Sequence, residues 1–560
     1  MEMSGAGAGG VPTKLEHDDA AAVAAEREPC GGGTPRREEK ERWRRVLVVG
    51  CLVALLLFAF FVLGRESASE VLQIASSKLS AMNGGRYQAA HYYKHFPYAP
   101  SPHLLDKLRA YEARHRRCAP GTPLYNRSVE QLRSGRSAGG VECNYVVWLP
   151  FDGLGNRMLS MVSGFLYALL TDRVLLVDLP QDSSDLFCEP FPGATWLLPP
   201  DFPVANLFGL GPRPEQSYTN LLNKKKITAV VIDDDDPASK NATAAPPPPP
   251  PPPPPAYVYL SLGYQMADKL FFCGDDQRAL AKVNWLLLYS DLYFVPSLYS
   301  VAEFNGELRR LFPAKESACH LLARYLLHPT NAVWGMVTRY YNSYLAQASR
   351  RIGVQIRMFN FASVPVDDLY NQILACSRQE HVLPETTTDN DNDDDFATAY
   401  DSNGNYTAIL IASLYPDYYE RIRATYYEHA ARGRVRVGVF QPTHEERQAT
   451  QRLFHNQKAL AEIHLLGFSD ELVTSGMSTF GYVGSSLAGV RPTILMPAHG
   501  HRVPAPPCRR AVSMEPCNLT PPRVGEAECR EMMAAVVDKD DVARHVKVCE
   551  DFDRGVKFFD

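Results

Sequence analysis

An excess of basic charge is missing from this sequence. Its 58 lysines and arginines stand against 63 acidic residues, a net charge of −5 over 560 residues, and that balance leaves no nucleic-acid footprint. Paired C-x₂-C spacings are also missing. In the C-terminal tail Cys508, Cys517, Cys529 and Cys549 have neither such pairs nor histidines at ligand intervals, so disulfides rather than zinc are expected and no metal site is assigned. Residues 1–45 lack any apolar period and read as a disordered tail of Gly, Ala, Glu and Arg.

What the tail leads into is an uncharged apolar run, Val46–Gly64, long enough to cross a bilayer. A basic cluster with Arg36, Arg37, Lys40, Arg42, Arg44 and Arg45 precedes it. The positive-inside bias keeps the N-terminus cytosolic and sends the bulk of the chain to the lumen. A cleaved signal peptide has a shorter apolar core ending at a small-residue site, so an uncleaved anchor fits better. The reading is a single-pass type II membrane protein. Beyond the span lie Cys118, Cys143, Cys188, Cys273, Cys319, Cys376 and the four tail cysteines, an even set that points to disulfides of unspecified pairing. N-x-S/T sequons begin at Asn126, Asn241, Asn405 and Asn518. Residues 65–115 read as a luminal stem.

The folded body is organised around Phe151–Asp178 (FDGLGNRMLSMVSGFLYALLTDRVLLVD). A β-type run, Tyr145–Leu149, ends at Pro150. The loop Asp152-Gly153-Leu154-Gly155-Asn156-Arg157 carries two glycines that permit a tight turn and a close approach to a ligand. Met158, Met161, Val162, Phe165, Leu166 and Leu169 then follow helical spacing, and Val174–Val177 forms a second strand. Strand, glycine loop, helix and strand make a βαβ unit whose loop can present amides to an anion. The same pattern also serves simply to turn a corner, so other parts of the chain must agree.

The second half is more regular. Short strands are expected at Ile352–Met358, Ala408–Ala412, Val435–Phe440, Leu472–Val473 with its flanks, and Thr493–Met496, with helices at Asp417–His429, Glu445–Leu466 and Phe480–Leu487. Alternation of this kind argues for a parallel α/β sheet. Ligands then bind beyond the carboxyl ends of the strands, which selects Arg357, Gln441-Pro442-Thr443-His444 and Ser475–Phe480. A nucleoside diphosphate sugar suits these residues. Arginine gives a planar fork of donors to a leaving pyrophosphate, and Ser478 and Thr479 add hydroxyl and amide donors at a helix start. The plainer alternatives are a surface ion pair for Arg357 and an N-cap for Ser478. Two segments interrupt the pattern: Asp233–Asp236 with Pro246–Pro255, and Asp389–Asp395. Both read as solvated excursions rather than Asp-x-Asp metal sites.

The chain resembles the plant cell-wall fucosyltransferases, the family of xyloglucan α-1,2-fucosyltransferases. The stretches that carry this are Phe151–Asp178, Asp185–Pro199 (DLFCEPFPGATWLLP), Asp291–Leu298 (DLYFVPSL), Arg324–Tyr341 (RYLLHPTNAVWGMVTRYY), IGVQIRMF, His455–Leu466 (HNQKALAEIHLL) and Ser478–Met496 (STFGYVGSSLAGVRPTILM). They run in family order from about Val141 onward, and neither the N-terminal tail nor the proline tract is covered.

The resemblance implies a GT-B-like α/β fold of two Rossmann-type domains facing a cleft. These would be an acceptor-side domain at 116–345 with its insertion at 233–256, and a GDP-fucose-binding domain at 346–500. A Cys-rich segment, 501–560, would pack back on them. It implies a Golgi enzyme that moves L-fucose from GDP-fucose, with inversion and without a metal or other cofactor, to the 2-hydroxyl of a galactosyl residue. The acceptor stays open between xyloglucan and arabinogalactan side chains, and a homodimer or a Golgi glycosyltransferase complex is compatible. Arg357 would hold the pyrophosphate. Gly153, Leu154, Gly155, Asn156 and Arg157 would face the nucleotide cleft, with Gln441, His444, Ser478, Thr479 and Phe480 completing the donor site. Asp291 would be the general base, with Asn156 and Arg357 its catalytic companions; otherwise Asp291 only orients its loop. His320 and His328 lie in apolar surroundings and read as packed. A non-catalytic glycan-binding or scaffolding Golgi relative, and a transferase for another GDP- or UDP-sugar, are the alternatives.

Overall fold

The computed structural model describes residues 88–210, 214–227, 253–264, 267–387, 405–521 and 544–560. The tail, the run Val46–Gly64, Asn241, both acidic runs and Cys529 lie outside those residues, as does most of the proline tract. Among the described residues no helix is long and apolar enough to cross a membrane.

The first unit is a parallel sheet of β1 (Tyr145–Leu149), β2 (Val174–Val177), β3 (Tyr257–Ser261) and β4 (Trp285–Tyr289), in the order β2-β1-β4-β3. Val147 pairs with Leu176 on one side and Leu287 on the other. Val146 and Trp148 face one apolar layer, and Tyr145, Val147 and Leu149 face another. A parallel sheet covered on both faces needs such uninterrupted apolar strands. Tyr257–Ser261 and Trp285–Tyr289 are strands of the same kind, without a period of their own or a glycine loop and long helix directly after them to reveal them in the sequence.

Helix α1 (Pro102–Cys118) starts at Ser101, whose hydroxyl accepts from Leu104 N at 3.0 Å. Its Tyr111 hydroxyl accepts from Leu175 N (2.8 Å) and His115 Nε2 meets Leu175 O (3.2 Å), satisfying the open edge of β2. Residues 102–115 therefore belong to the folded body, which corrects the stem boundary. Helix α2 (Leu154–Leu170) buries Met158, Met161, Val162, Phe165, Leu166 and Leu169 completely. A Cβ on its Gly164 would stand 2.9 Å from Leu288, so glycine sets the close helix–sheet spacing. Helices α3 (Ala318–Leu326) and α4 (Asn331–Tyr340) then lead to the second unit.

The second sheet has the order β10-β9-β8-β5-β6-β7. Its strands are β5 (Arg350–Ile356), β6 (Tyr406–Ser413), β7 (Arg436–Phe440), β8 (Glu471–Ser475) and β9 (Thr493–Leu495), all parallel, with β10 (Cys508–Arg510) antiparallel at the edge. Helices α5 (Val366–Glu380), α6 (Asp417–Glu428), α7 (Leu453–Leu466) and α8 (Thr479–Ala488) connect them. The chain winds outward from β5 through β6 to β7, then returns to the other side of β5 as β8. Adjacent connections diverge there and open a crevice at the C-terminal end of β5. In the first sheet the same divergence occurs between β1 and β4.

Helix α7 begins at Leu453, not at Glu445. Glu445–Arg452 is irregular, with Glu446 at φ +55°, and the apolar period starts only at Leu453. The two units meet where α8 packs on α2 and α7 packs on α4. The C-terminal segment ties into both. Glu515 accepts from Cys319 N (2.7 Å) and the Tyr293 hydroxyl, and Asp551 accepts from Met477 N (2.7 Å) and the Tyr482 hydroxyl (2.7 Å).

Disulfides join Cys118–Cys143, Cys376–Cys508 and Cys517–Cys549, and Cys188 and Cys273 are also disulfide-bonded. Cys319 departs from full pairing: it is a free thiol buried beside Glu515. Cys517 and Cys549 lie near Asp551, but their sulfurs are bonded to each other and are not metal ligands. Asn126 and Asn405 are exposed. Asn518 is not a glycan carrier in this fold, because it is fully buried and its Nδ2 donates to Ser297 Oγ at 2.6 Å.

Candidate active site

The two divergence points face each other across a cleft of about 490 Å³. On the first unit, β1 runs into a turn with Asp152 at φ +61°, and α2 starts immediately after Gly153. On the second, Met477 at φ +59° precedes Ser478, whose side chain makes no capping bond to α8. These two helix starts touch. A Cβ on Gly155 would stand 2.7 Å from Thr479 Oγ1 and 2.9 Å from Phe480 N, so only glycine allows this approach. Asn156 spans the seam, donating through Nδ2 to Asp152 Oδ2 (2.7 Å) and accepting from the Thr479 hydroxyl. Two helix N-termini thus open on one cavity and favour negative charge there.

Arg357 follows β5 directly. Its backbone N donates to Ser475 Oγ (2.8 Å) and its Nη2 to Gln448 Oε1 (2.7 Å), and its guanidinium lies 5.6 Å from the Phe359 ring centre. Among the described residues no carboxylate forms an ion pair with it. Burial lowers its pKa from the usual value. A desolvated, unpaired guanidinium in a cleft is an anion receptor; a surface ion pair, the plainer expectation, is not what is found.

Gly153, Leu154, Gly155, Asn156, Arg357, Ser478, Thr479 and Phe480 all line the cleft. Arg157, Gln441 and His444 do not. Arg157 clamps the neighbouring loop through Asp182 Oδ2 (2.8 Å), Ser183 Oγ (2.7 Å) and Asp152 O (2.8 Å). Gln441 is buried and donates to Ser413 O (2.9 Å) and Thr443 O (2.8 Å), bracing the end of β6. His444 is exposed and packs on Tyr419, with ring centres 5.7 Å apart. Asp291, just after β4, sits behind the lining. It accepts from Tyr264 N at 2.9 Å, and Tyr264 lines the cleft. Burial, with a smaller contribution from the charge of Asp152, pushes its carboxyl up to about 6.

A family model described as xyloglucan fucosyltransferase matches residues 74–530. The galactoside 2-alpha-L-fucosyltransferase of Pisum sativum is 44% identical over 476 residues, covering 85% of this chain and 79% of that protein. The chain belongs to the xyloglucan fucosyltransferase family. As a family member it is a glycosyltransferase. The Arabidopsis thaliana galactoside 2-alpha-L-fucosyltransferase is 43% identical over 473 residues, 84% of this chain and 79% of that one. A solved structure of an Arabidopsis thaliana FUT1 variant in complex with GDP superposes with a TM-score of 0.71 at 42% identity, over 85% of this chain and 96% of that chain.

The sequence reading missed one wall of this fucosyltransferase's cleft. His455, Lys458 and Glu462 on α7 line it, with Glu445 and Gln448 from the irregular segment before the helix. Glu445 binds Lys458 and meets His455 Nδ1 at 3.4 Å. Glu462 accepts from Thr443 Oγ1 at 2.5 Å, and burial pushes its carboxyl up to about 8. The available signal was weak: His455, Lys458 and Glu462 stand three and four residues apart on one face, but Asn456, Gln457 and His464 make the helix polar elsewhere too. His320, by contrast, is packed as expected: its Nδ1 meets Ser486 O at 2.7 Å and burial lowers it to about 4.

Proposed function

We propose that this chain transfers L-fucose from GDP-fucose to the 2-hydroxyl of a galactosyl residue, with inversion at the anomeric carbon and without a metal. The observation that carries this is the unpaired Arg357 guanidinium, in one cleft with the touching N-termini of α2 and α8. As the anomeric C–O bond breaks, negative charge grows on the departing diphosphate. Arg357 and the amides at Gly155 and Thr479 are fixed donors for that charge and strengthen their hold as it develops. On the other side the acceptor oxygen bonds to the anomeric carbon and gives its proton to Asp291, which must be reached past Tyr264 and whose raised pKa makes it a better base while leaving it ionised near neutrality. Asn156 keeps the two helix starts together.

Xyloglucan and arabinogalactan galactosides both meet this requirement, and the family description favours xyloglucan. The segment Val46–Gly64 would anchor the enzyme in the Golgi membrane with the catalytic body in the lumen, in keeping with the disulfides and the exposed Asn126 and Asn405. The test is GDP-fucose offered to the purified full-length chain with EDTA present, against galactosylated xyloglucan and arabinogalactan oligosaccharides, following labelled product and GDP. Product in EDTA on one acceptor supports the reading and names the polymer. Neither product nor GDP release from folded protein returns the case to a non-catalytic glycan-binding relative.

A further inference from the structure

A second cavity, of about 240 Å³, lies on the far side of the seam between the two units. Its walls are the segment Ala89–Pro100, helix α3 and the end of α7. Among the described residues nothing bonds several of the polar groups it encloses. Arg324 donates through Nε to Leu487 O (2.9 Å) and through Nη2 to His95 O (2.9 Å), but among the described residues its buried Nη1 has no partner. Among the described residues it forms no ion pair, and burial lowers its pKa to about 10. His464, 1% exposed, lines the same cavity with both ring nitrogens buried and, among the described residues, unbonded.

An imidazole always carries at least one N–H donor, and a buried unsatisfied donor costs on the order of 1–3 kcal/mol. In the same cavity the Arg324 guanidinium brings positive charge that, among the described residues, no carboxylate offsets. The rings of Tyr93 and Phe96 lie 3.9 and 4.7 Å from the Arg324 guanidinium carbon, giving it an aromatic face but no acceptor for Nη1. Tyr98 also lines the cavity, with its hydroxyl engaged by Glu316, whose charge Arg491 offsets at 2.5 Å. Water alone could fill the space, but water brings no charge.

We infer that this cavity is a binding site for a small oxyanion, such as phosphate or a short carboxylate, held by Arg324 Nη1 and His464. Its walls come from both units, so the bound anion bridges α3 to α7 and stiffens the seam. Arg324 also caps the C-terminal carbonyls of α8, the helix whose N-terminus opens on the donor cleft. The site is separate from that cleft and does not depend on its assignment.

The test is calorimetric titration of the full-length chain with phosphate, sulfate and acetate, with the donor cleft first saturated by GDP. The site predicts saturable binding of at least one of them and a higher Tm. His464→Leu should stay folded, at equal or higher Tm without anion because an orphaned polar group is gone, and should keep its transferase activity. It should bind the anion about tenfold more weakly or worse, the effect of one lost hydrogen bond to a charged group. Arg324→Gln should abolish binding. Should GDP-saturated protein bind none of the three, or should His464→Leu bind them as tightly as wild type, the inference is wrong.

Discussion

At the residue scale the chemistry depends on groups held short of their usual partners. Asp291 is one, buried to 6% exposure with its carboxyl pushed up to about 6. A base must be deprotonated, so transfer should fall as pH drops through about 6 and level off above it. Asp291→Asn should remove that acid limb and slow turnover by about a hundredfold or more; pH–rate profiles of the two proteins check this. Gly155 is another. Gly155→Ala would force Thr479 and the backbone of Phe480 away, and it is expected to raise the KM for donor and cost about 1–3 kcal/mol of stability. Donor kinetics and denaturant unfolding of that variant give both numbers.

At the element scale, legibility followed periodicity. The βαβ unit through Phe151–Asp178 and the strands around Arg357 and Ser475 were readable, because apolar spacing and strand–helix alternation say which residues lie at strand ends. That placed Arg357, Gly155 and Thr479 in the cleft. Tyr257–Ser261 and Trp285–Tyr289 were opaque: like Tyr145–Leu149 they have no alternation, and neither is directly followed by a glycine loop and a long helical period that would mark it as one strand of a βαβ unit. Arg157 and Gln441 were misplaced because sequence position puts a residue at a strand end without saying which way its side chain turns. One spends its donors on a neighbouring loop and the other on backbone carbonyls. The wall at His455, Lys458 and Glu462 was hidden because Asn456, Gln457 and His464 on the same helix are polar too, so no single polar stripe marks the cleft face. The edge strand β10 is a different kind of element, fixed to α5 by Cys376–Cys508, which are 132 residues apart in sequence. Removing a cross-link over so long a loop costs about 2–5 kcal/mol. Cys376→Ser is therefore expected to lower the Tm clearly, read by thermal unfolding, while Arg357 keeps its place at the end of β5, with β9 and β8 between it and that edge.

At the scale of the whole molecule, two units and a returning C-terminal segment close around buried carboxyls. Glu515 sits where that segment meets α3, and burial pushes it up to about 8 from an ordinary 4.5. With the folded pKa above the unfolded one, its contribution to stability is complete below about 4.5 and is lost as pH rises through about 8. Glu462 acts in the same direction. Glu515→Gln should flatten the fall in unfolding free energy over that window, measured by denaturant titration at several pH values; an unchanged slope would mean Glu515 is not protonated in the fold.

The account rests on Arg357 as the receptor for the diphosphate, at the one place where both sheets and both helix starts converge. The most direct measurement is fucose transfer from GDP-fucose to galactosylated xyloglucan by wild type and Arg357→Ala, prepared side by side and matched for Tm. The account predicts product and GDP release from wild type, and a loss of at least about a hundredfold in the variant, the scale of one removed transition-state donor. Turnover by a folded Arg357→Ala protein within a few-fold of wild type would contradict it.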